Sequence, residues 1–382
     1  MRPSETEAQQ ARGVEGYLLS VLQGSPGFVP GLLRTALAAL APIYCAGLKL
    51  YLLPYRIGIR KRFRLPCPTL CVGNLTTGGT GKTPMTQTLC RLLQQHGFRV
   101  VILSRGYGGK NEYGCAIVSD GERLLLTSEE AGDEAYLLAK TLPGIPVIVG
   151  KDRRVTGKLA CERFRPDLIV LDDGLQFWQL HRDLDLVLLN ACAPFDNGWT
   201  FPRGLLREPP SHLRRAGIVV LTHAQEAGPE TLRALQIRVA RLAPNRPCFT
   251  ANLVPVGLRS VGDKVEYTAD HLHGMRVVAL CALGNPTGFE STLRGLGGNI
   301  VQAFRFRDHV AITLSDLERV SQEAKAQNAG AVVTTEKDVV KLPSVSTQLP
   351  LLALEVRLQI DSESELLREV IRICRLEAGA AR

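Results

Sequence analysis

The sequence predicts an α/β protein that combines a doubly wound sheet, a second, smaller α/β domain and an N-terminal interfacial helix. From residue 66 onward, continuous apolar runs alternate with helix-like stretches. Apolar runs bounded by Gly, Pro or charged residues are typical of parallel strands that are buried on both faces. The chain has 382 residues. Two domains are therefore expected, because one domain usually takes about 100–200 residues.

The first predicted element is an apolar helix near the N-terminus. Between Arg34 and Lys49 lie 14 uncharged residues, with Pro42 in their middle. As a helix they extend about 21 Å, whereas a bilayer core of about 30 Å requires about 20 apolar residues. We therefore expect an interfacial helix, followed by a basic cluster at 56–64 that suits anionic lipid headgroups. An ordinary core helix with a solvated basic loop is the alternative.

Strands and helices then alternate through the larger predicted domain. Thr69 to Asn74 is predicted as a buried strand and Lys82 to His96 as a helix that Gly97 ends. Further strands are predicted at 99–106, 145–150, 167–174, 184–190 and 217–223, and helices near 129–141, 153–164 and 229–243. This alternation predicts a doubly wound sheet.

The pattern changes at 248–268, where a turn separates two strand-like pieces. We interpret this stretch as a two-stranded linker to the smaller domain. Later strands are predicted at 276–286, 331–338 and 349–360, with helices near 287–296 and 362–377. The predicted boundaries are 1–55 for the membrane-associated helical segment, 56–246 for the core domain, 247–268 for the linker and 269–382 for the smaller domain.

A glycine-rich stretch, GNLTTGGTGKTP, follows the first predicted strand. Its end fits the phosphate-binding pattern G-x-x-x-x-G-K-[ST], but Thr76 takes the position of the first glycine. A phosphate site needs backbone N–H groups that point inward and a helix N-terminus, and neither requires glycine at residue 76. The sequence therefore predicts a P-loop NTPase-like fold that binds the phosphates of a nucleotide. The predicted nucleotide-binding residues are Thr76, Thr77, Gly78, Gly79, Thr80, Gly81, Lys82 and Thr83.

Two adjacent carboxylates, Asp172 and Asp173, end the apolar run at 167–174. Adjacent carboxylates repel each other unless a cation lies nearby. Together with the hydroxyl of Thr83, they predict a Mg²⁺ site. A solvated turn is the alternative.

Phosphoryl transfer to a hydroxyl requires a group that positions and deprotonates the acceptor. Asp133 begins a predicted helix, and His309 stands beside Asp308. Asp133 could equally be a capping or first-turn acid. A lone histidine is more often structural than catalytic, and sequence distance does not establish contact between the two residues.

The charge of the chain favours an anionic partner, since the formal net charge is +9. Arg105, Arg153 and Arg203 follow predicted strand ends or lie in a Pro- and Gly-rich loop, and ligands of open α/β sheets bind near strand ends. They predict a basic rim for a phosphorylated acceptor, although each could form only a surface salt bridge. Nucleic acid is not expected, because aromatic residues are only 5% and the basic cluster adjoins an apolar helix.

An ordered set of motifs extends over about residues 56–341: GNLTTGGTGKTP, SRGYGG, GDE, KDRR, DDGLQ, DNG…PRGLLREP, LGNP, RDH and TTEKD. This set resembles the tetraacyldisaccharide 4′-kinases, the lipid A 4′-kinases of Gram-negative bacteria. The resemblance implies ATP- and Mg²⁺-dependent phosphorylation of the 4′-hydroxyl of an acylated glucosamine disaccharide 1-phosphate, giving lipid IVA. It also implies a peripheral or monotopic enzyme on the cytoplasmic face of the bacterial inner membrane. No obligate protein partner is evident.

Carried over by motif, Lys82 and Thr83 hold the ATP phosphates and Mg²⁺, and the two adjacent aspartates serve the metal. Asp133 acts with His309 as the pair that activates the acceptor hydroxyl. The remaining residues implied to line the active site are Arg153, Gln176, Arg203 and Glu208.

The residues alone leave a second class of function open. A ParA-like or targeting-type ATPase also carries a P-loop, which it uses to switch partners. Such proteins often have lysine before the glycine pair, where this chain has Thr77. The apolar helix and the pair Asp133 and His309 also have no evident purpose in a switch.

Overall fold

The computed structural model describes residues 14–22, 24–262, 265–284, 286–306, 312–342 and 349–376. The chain forms two compact units. The larger comprises Leu18–Leu253 and Leu358–Arg382, and the smaller comprises Met1–Tyr17 and Val254–Arg357. Both contain strands and helices in alternation, so the α/β prediction is confirmed.

The larger unit is built on a sheet with the strand order β8-β7-β6-β1-β5-β2-β4-β3. All neighbours are parallel except β3, which runs antiparallel to β4 at the edge. The strands are β1 (Thr69–Asn74), β2 (Val100–Ser104), β3 (Ala116–Ser119), β4 (Val147–Val149), β5 (Leu168–Asp172), β6 (Leu184–Asn190), β7 (Ile218–Thr222) and the start of β8 (Cys248–Ser260). The antiparallel edge strand β3 was not predicted from the sequence.

Helices cover both faces of this sheet. Leu70 and Val72 of β1 belong to one buried cluster, and Cys71, which points to the opposite face, belongs to another. Burial on both faces explains why the strand reads as a continuous apolar run. The helices are Lys82–Gln95, Ser128–Ala131, Asp133–Thr141, Arg153–Phe164, Ala224–Ala227, Pro229–Leu242 and Glu363–Cys374, with a 3₁₀ turn at Pro210–Arg215.

The apolar helix near the N-terminus extends over Phe28–Arg56, after a short helix at Val14–Leu22. Its 29 residues include Pro42 and Pro54. The helix is therefore longer than the 14-residue uncharged stretch from which its length was predicted, because it continues past both Arg34 and Lys49. Within the described residues, it has the length and apolar composition that a membrane crossing requires.

The smaller unit has the strand order β11-β10-β12-β13-β8, and β9 pairs antiparallel with β8. Its strands are the end of β8, β9 (Glu266–Tyr267), β10 (Arg276–Cys281), β11 (Asn299–Arg305), β12 (Ala331–Thr335) and the start of β13 (Leu351–Ile360). Its helices are Pro286–Gly295, Leu314–Ala326 and Glu336–Val339, with a 3₁₀ turn at Ala269–Leu272. The predicted hairpin at 248–268 corresponds to β8 and β9.

The C-terminal helix differs from the predicted domain boundaries. The sequence assigned 269–382 to the smaller domain, whereas Glu363–Cys374 lies in the larger unit. Leu366, Val370 and Cys374 join the buried cluster that contains Met85 of the helix Lys82–Gln95. Burial of this apolar face against the larger sheet is the physical reason for the difference.

Candidate functional site

The glycine-rich loop joins the buried strand β1 to the helix Lys82–Gln95. Gly81 precedes the helix with a φ of 79°, and Gly78 has a φ of 114°. These left-handed conformations favour glycine, because a side chain at positive φ meets the backbone. The first N–H groups of the helix have no partner within it, so the loop places unpaired donors at a helix N-terminus.

The two threonines at the start of the loop explain the departure from the phosphate-binding pattern. Thr76 is buried and forms a bridge with Leu206. The N–H group of Thr77 donates to the carbonyl oxygen of Leu205 at 2.8 Å. On the other side, the hydroxyl of Thr222 donates to the carbonyl of Thr80 at 3.2 Å. A threonine at position 76 is thus compatible with this loop, whose backbone is hydrogen-bonded to neighbouring segments at Thr77 and Thr80.

The ammonium group of Lys82 lies above the ends of two strands. Its Nζ donates to Oδ1 of Asn74 at 3.3 Å and lies 3.8 Å from Oδ2 of Asp173. The Lys82 side chain is 13% exposed. The structure therefore places a shielded cation beside the loop and next to the carboxylates after β5.

The two carboxylates after β5 have different environments. Asp172 is buried and accepts a hydrogen bond from Thr86 at 3.1 Å. Burial, followed by the charges of Glu134 and Asp173, raises the pKa of Asp172. Burial acts to raise the pKa of Asp173 as well, but Lys82 and Arg207 outweigh it and lower that pKa. Asp172 is therefore the carboxylate whose ionised form gains most from a nearby cation.

A second group of charges surrounds Glu208. Its carboxylate, 1% exposed, accepts hydrogen bonds from Arg215 through both oxygens and from Gln176 at 3.2 Å. Gln176 in turn accepts from Arg207 at 3.3 Å, and Arg207 donates to both oxygens of Asp173 at 3.1 Å. A continuous hydrogen-bonded network thus links Glu208 to the carboxylates after β5.

His212 completes the environment of Glu208. The Arg56 guanidinium lies 3.1 Å from Nε2 of His212, and Nδ1 lies 2.7 Å from the Glu208 carboxylate. Since arginine can only donate, Nε2 accepts and Nδ1–H donates to Glu208. Burial alone acts to raise the pKa of Glu208, but the hydrogen bonds from His212 and Arg215 lower it to about 2.

Asp133 is the first residue of the helix Asp133–Thr141. The preceding Gly132 has a φ of 83°, and a Cβ there would lie 2.7 Å from the carbonyl oxygen of Tyr107. A Cβ on Gly109 would lie 2.5 Å from the nitrogen of Gly132. The motifs SRGYGG and GDE therefore lie against each other, and glycine is required at both positions for that approach.

The predicted basic residues occupy different places. Arg153 is buried, donates to the carbonyls of Gly150 and Lys151, and has its pKa lowered to about 10 by burial and by the charge of Arg105. Arg105 donates to Glu112 at 2.7 Å. Arg203 instead reaches the carbonyl of Leu22 at 3.4 Å, outside the network around Glu208. His309 lies outside the described residues.

Comparison with known proteins then decides the family. The family model described as Tetraacyldisaccharide-1-P 4'-kinase matches residues 33–374. The chain belongs to the tetraacyldisaccharide 4′-kinase family. The predicted resemblance is confirmed, and membership of this family decides against the ParA-like alternative.

Relatives within the tetraacyldisaccharide 4′-kinase family align over most of the chain. The member from Syntrophus aciditrophicus is 40% identical over 333 residues, which are 82% of this chain and 88% of that protein. The member from Anaeromyxobacter dehalogenans is 44% identical over 288 residues, which are 75% and 76% of the two chains. A crystal structure of LpxK from Aquifex aeolicus, described as an "apo" form in complex with ATP, is 32% identical and superimposes with a TM-score of 0.73. That match covers 89% of this chain and 99% of the other.

Sequence reasoning missed several residues of the site. Asn74 accepts a hydrogen bond from Lys82, and Thr86 donates one to Asp172. His212 and Arg215 both donate hydrogen bonds to Glu208. Asn74 could have been found from its place immediately before the loop. The other three carry no motif signal of their own.

Proposed function

We propose that the chain transfers the γ-phosphoryl group of ATP to the 4′-hydroxyl of an acylated glucosamine disaccharide 1-phosphate, giving lipid IVA. The observation that carries the proposal is the loop before Lys82, which presents helix N–H donors next to a shielded ammonium group and the carboxylates after β5. Family membership supplies the reaction class, a phosphoryl transfer to an alcohol.

The loop residues from Thr76 to Thr83 are the proposed ATP phosphate site. Backbone N–H groups of the loop and the helix N-terminus bind the phosphate oxygens, and Lys82 adds a positive charge. Because the Lys82 side chain is largely buried, its ammonium group attracts a polyphosphate more strongly than an exposed lysine would. The protein thereby places fixed positive charge where negative charge accumulates during transfer.

The donor set near the loop fits Mg²⁺. The Thr83 hydroxyl, Asp172 and Asp173 are the proposed ligands. No group of three or more His, Cys, Asp or Glu residues suited to a metal occurs in the described part of the chain. Mg²⁺ accepts such a site, because it keeps several waters and takes other ligands from phosphate oxygens. When bound, the ion neutralises charge on the phosphates.

Asp133 is the proposed carboxylate that accepts the proton of the acceptor hydroxyl. It begins a helix whose start lies against the SRGYGG segment, where Gly109 and Gly132 allow the close approach of the two backbones. A base held by the backbone rather than by a mobile loop is positioned for proton transfer. Its predicted partner His309 remains a prediction from the sequence.

Arginines surround the proposed transfer site. Arg153 keeps its proton at neutral pH, since its pKa of about 10 lies well above 7. Arg207 bridges Asp173 and Gln176, and Glu208 holds its neighbours through ionised oxygens. These fixed charges stabilise a developing negative charge without reorganisation during the reaction. Arg105, Gln176 and Arg203 remain predicted acceptor contacts.

The apolar helix is the proposed membrane contact. Along it, the exposed leucine, isoleucine, valine and phenylalanine side chains are Phe28, Val29, Leu32, Leu40, Ile43, Leu50 and Leu53. Its C-terminal half packs against the rest of the larger unit, where Leu52 and Tyr55 contact Trp178 and the hydroxyl of Tyr44 donates to the carbonyl of Arg207. A helix bound along one side to the enzyme favours monotopic attachment over crossing, with its exposed face in anionic lipid on the cytoplasmic side.

The proposal is tested with γ-labelled ATP, Mg²⁺ and the acylated disaccharide 1-phosphate, followed by thin-layer separation of lipids. We expect label in a new lipid with the wild-type chain and almost none with Lys82→Ala. Equal labelling by Lys82→Ala contradicts the assigned phosphate site. Release of labelled phosphate to water with no lipid product contradicts the kinase function.

A further inference from the structure

A strongly basic cavity lies in the larger unit, at the ends of the strands opposite to those that carry the glycine-rich loop. Its volume is about 600 Å³. Asp183, Gly217 and Pro247, which line it, immediately precede the strands β6, β7 and β8. The cavity is therefore at the amino ends of these parallel strands.

The cavity and the glycine-rich loop are separate sites. The loop follows the carboxyl end of β1, and β1 is parallel to β6 in register. Asn74, the last residue before the loop, pairs with Leu188, which lies five residues after the cavity residue Asp183, and five residues span about 17 Å at about 3.3 Å per residue. A ligand bound at the loop is thus distant from one bound in the cavity.

The cavity has a large excess of positive charge. Its lining includes eight arginines and only two carboxylates. The carboxylate of Asp185 is already paired with Arg182 and Arg215. Five lining arginines have no ion pair with a carboxylate of the described residues: Arg56, which contacts His212, and Arg62, Arg214, Arg246 and Arg375.

A tryptophan holds three of the cations close together. The guanidinium carbons of Arg215, Arg62 and Arg182 lie 4.3, 5.1 and 5.9 Å from the centre of the Trp178 ring. Burial, and then the charge of Arg182, lowers the pKa of Arg62. Like charges held at these distances are relieved by an anion between them.

We propose that this cavity binds the phosphate group of a phosphate ester. Guanidinium groups match phosphate oxygens through paired hydrogen bonds, and the volume is typical of a small-molecule site. Arg56 ends the apolar helix and Arg62 follows it, so a phosphate could come from a phospholipid headgroup or from a soluble ester. Binding in this cavity requires no turnover and is therefore independent of the kinase reaction.

The test compares two double variants of the full chain in detergent. Arg246→Gln with Arg375→Gln removes two cavity arginines that hold no described carboxylate. Arg233→Gln with Arg241→Gln removes the same charge from exposed positions on the helix Pro229–Leu242, outside the cavity. Each protein is saturated with Mg²⁺ and a non-hydrolysable ATP analogue, so that the loop cannot take the probe.

Two probes distinguish the sources of phosphate. Glycerol 3-phosphate is titrated by calorimetry, and vesicles of phosphatidylcholine with or without phosphatidylglycerol are tested by flotation at physiological salt. Loss of two guanidinium–phosphate contacts should weaken binding about tenfold or more relative to the control double variant. Weaker binding of glycerol 3-phosphate by the cavity double variant identifies a soluble ester as the ligand. Weaker binding that is confined to phosphatidylglycerol vesicles identifies a lipid headgroup. Equal binding by both double variants in both assays overturns the proposal.

Discussion

Replacement of Glu208 by glutamine tests the charge network most sharply. Glu208 is 1% exposed, and its pKa falls from the ordinary 4.5 to about 2 because His212 and Arg215 donate to it. A depression of that size corresponds to about 3 kcal/mol of stabilisation of the ionised form. The neutral amide of glutamine lacks this stabilisation of a negative charge, and its NH₂ group cannot accept a hydrogen bond from a guanidinium. We therefore expect Glu208→Gln to lower the free energy of unfolding by about 2–4 kcal/mol at pH 7.

The pH dependence gives the sign of the effect. A depressed carboxyl pKa contributes stability above the unfolded-state pKa and loses it as pH falls. The difference between wild type and Glu208→Gln should therefore be full above pH 4.5 and shrink as pH falls toward about 2.

The assay is urea unfolding followed by the fluorescence of Trp178, which is buried near His212. Trp178 and Trp199 are the only tryptophans, so a Trp199→Phe background leaves one reporter. Glu129→Gln, which removes an exposed partner of Lys110, is the control and should change stability little. Equal stability of Glu208→Gln and wild type at pH 7, or a difference that does not shrink in acid, refutes the reasoning.

Three further changes test the loop, the base and the helix. Gly81→Ala should cost about 1–2 kcal/mol of stability and weaken ATP binding, because alanine is strained at the positive φ; unchanged melting and affinity would show that the loop relaxes freely. Asp133→Asn should lower turnover about 100-fold or more at nearly unchanged ATP affinity, measured by single-turnover kinetics and calorimetry, whereas a loss of ATP affinity would assign Asp133 to the nucleotide. Replacing Leu32 and Ile43 together by asparagine should weaken vesicle binding about tenfold or more, and unchanged flotation would place the membrane contact elsewhere.

The sheet and the glycine-rich loop could be predicted because their signals are local. Buried parallel strands give apolar runs, and the turn before Lys82 needs glycines at fixed spacing. The length of the apolar helix could not be predicted from such local signals. Arg34 donates to the carbonyl of Ser25 at 2.7 Å within the folded chain, so its charge does not end the helix.

The partners of Glu208 are a different case. His212 and Arg215 follow it in a segment for which the sequence predicted no element, and Pro210–Arg215 forms a 3₁₀ turn that directs both side chains back to the carboxylate. Such a network depends on a tertiary arrangement, because no periodic pattern encodes it. The same limit applies to the C-terminal helix, whose apolar face does not specify which sheet it covers.

The most direct test of the central claim is to locate the phosphate that the enzyme adds. Incubation with ATP, Mg²⁺ and the acylated disaccharide 1-phosphate is followed by ³¹P and ¹H NMR of the purified lipid. We expect a second phosphate monoester with coupling to the proton at the 4′ carbon, formed in proportion to ADP. ADP formed without a new lipid phosphate, or a phosphate on another hydroxyl, would contradict the account.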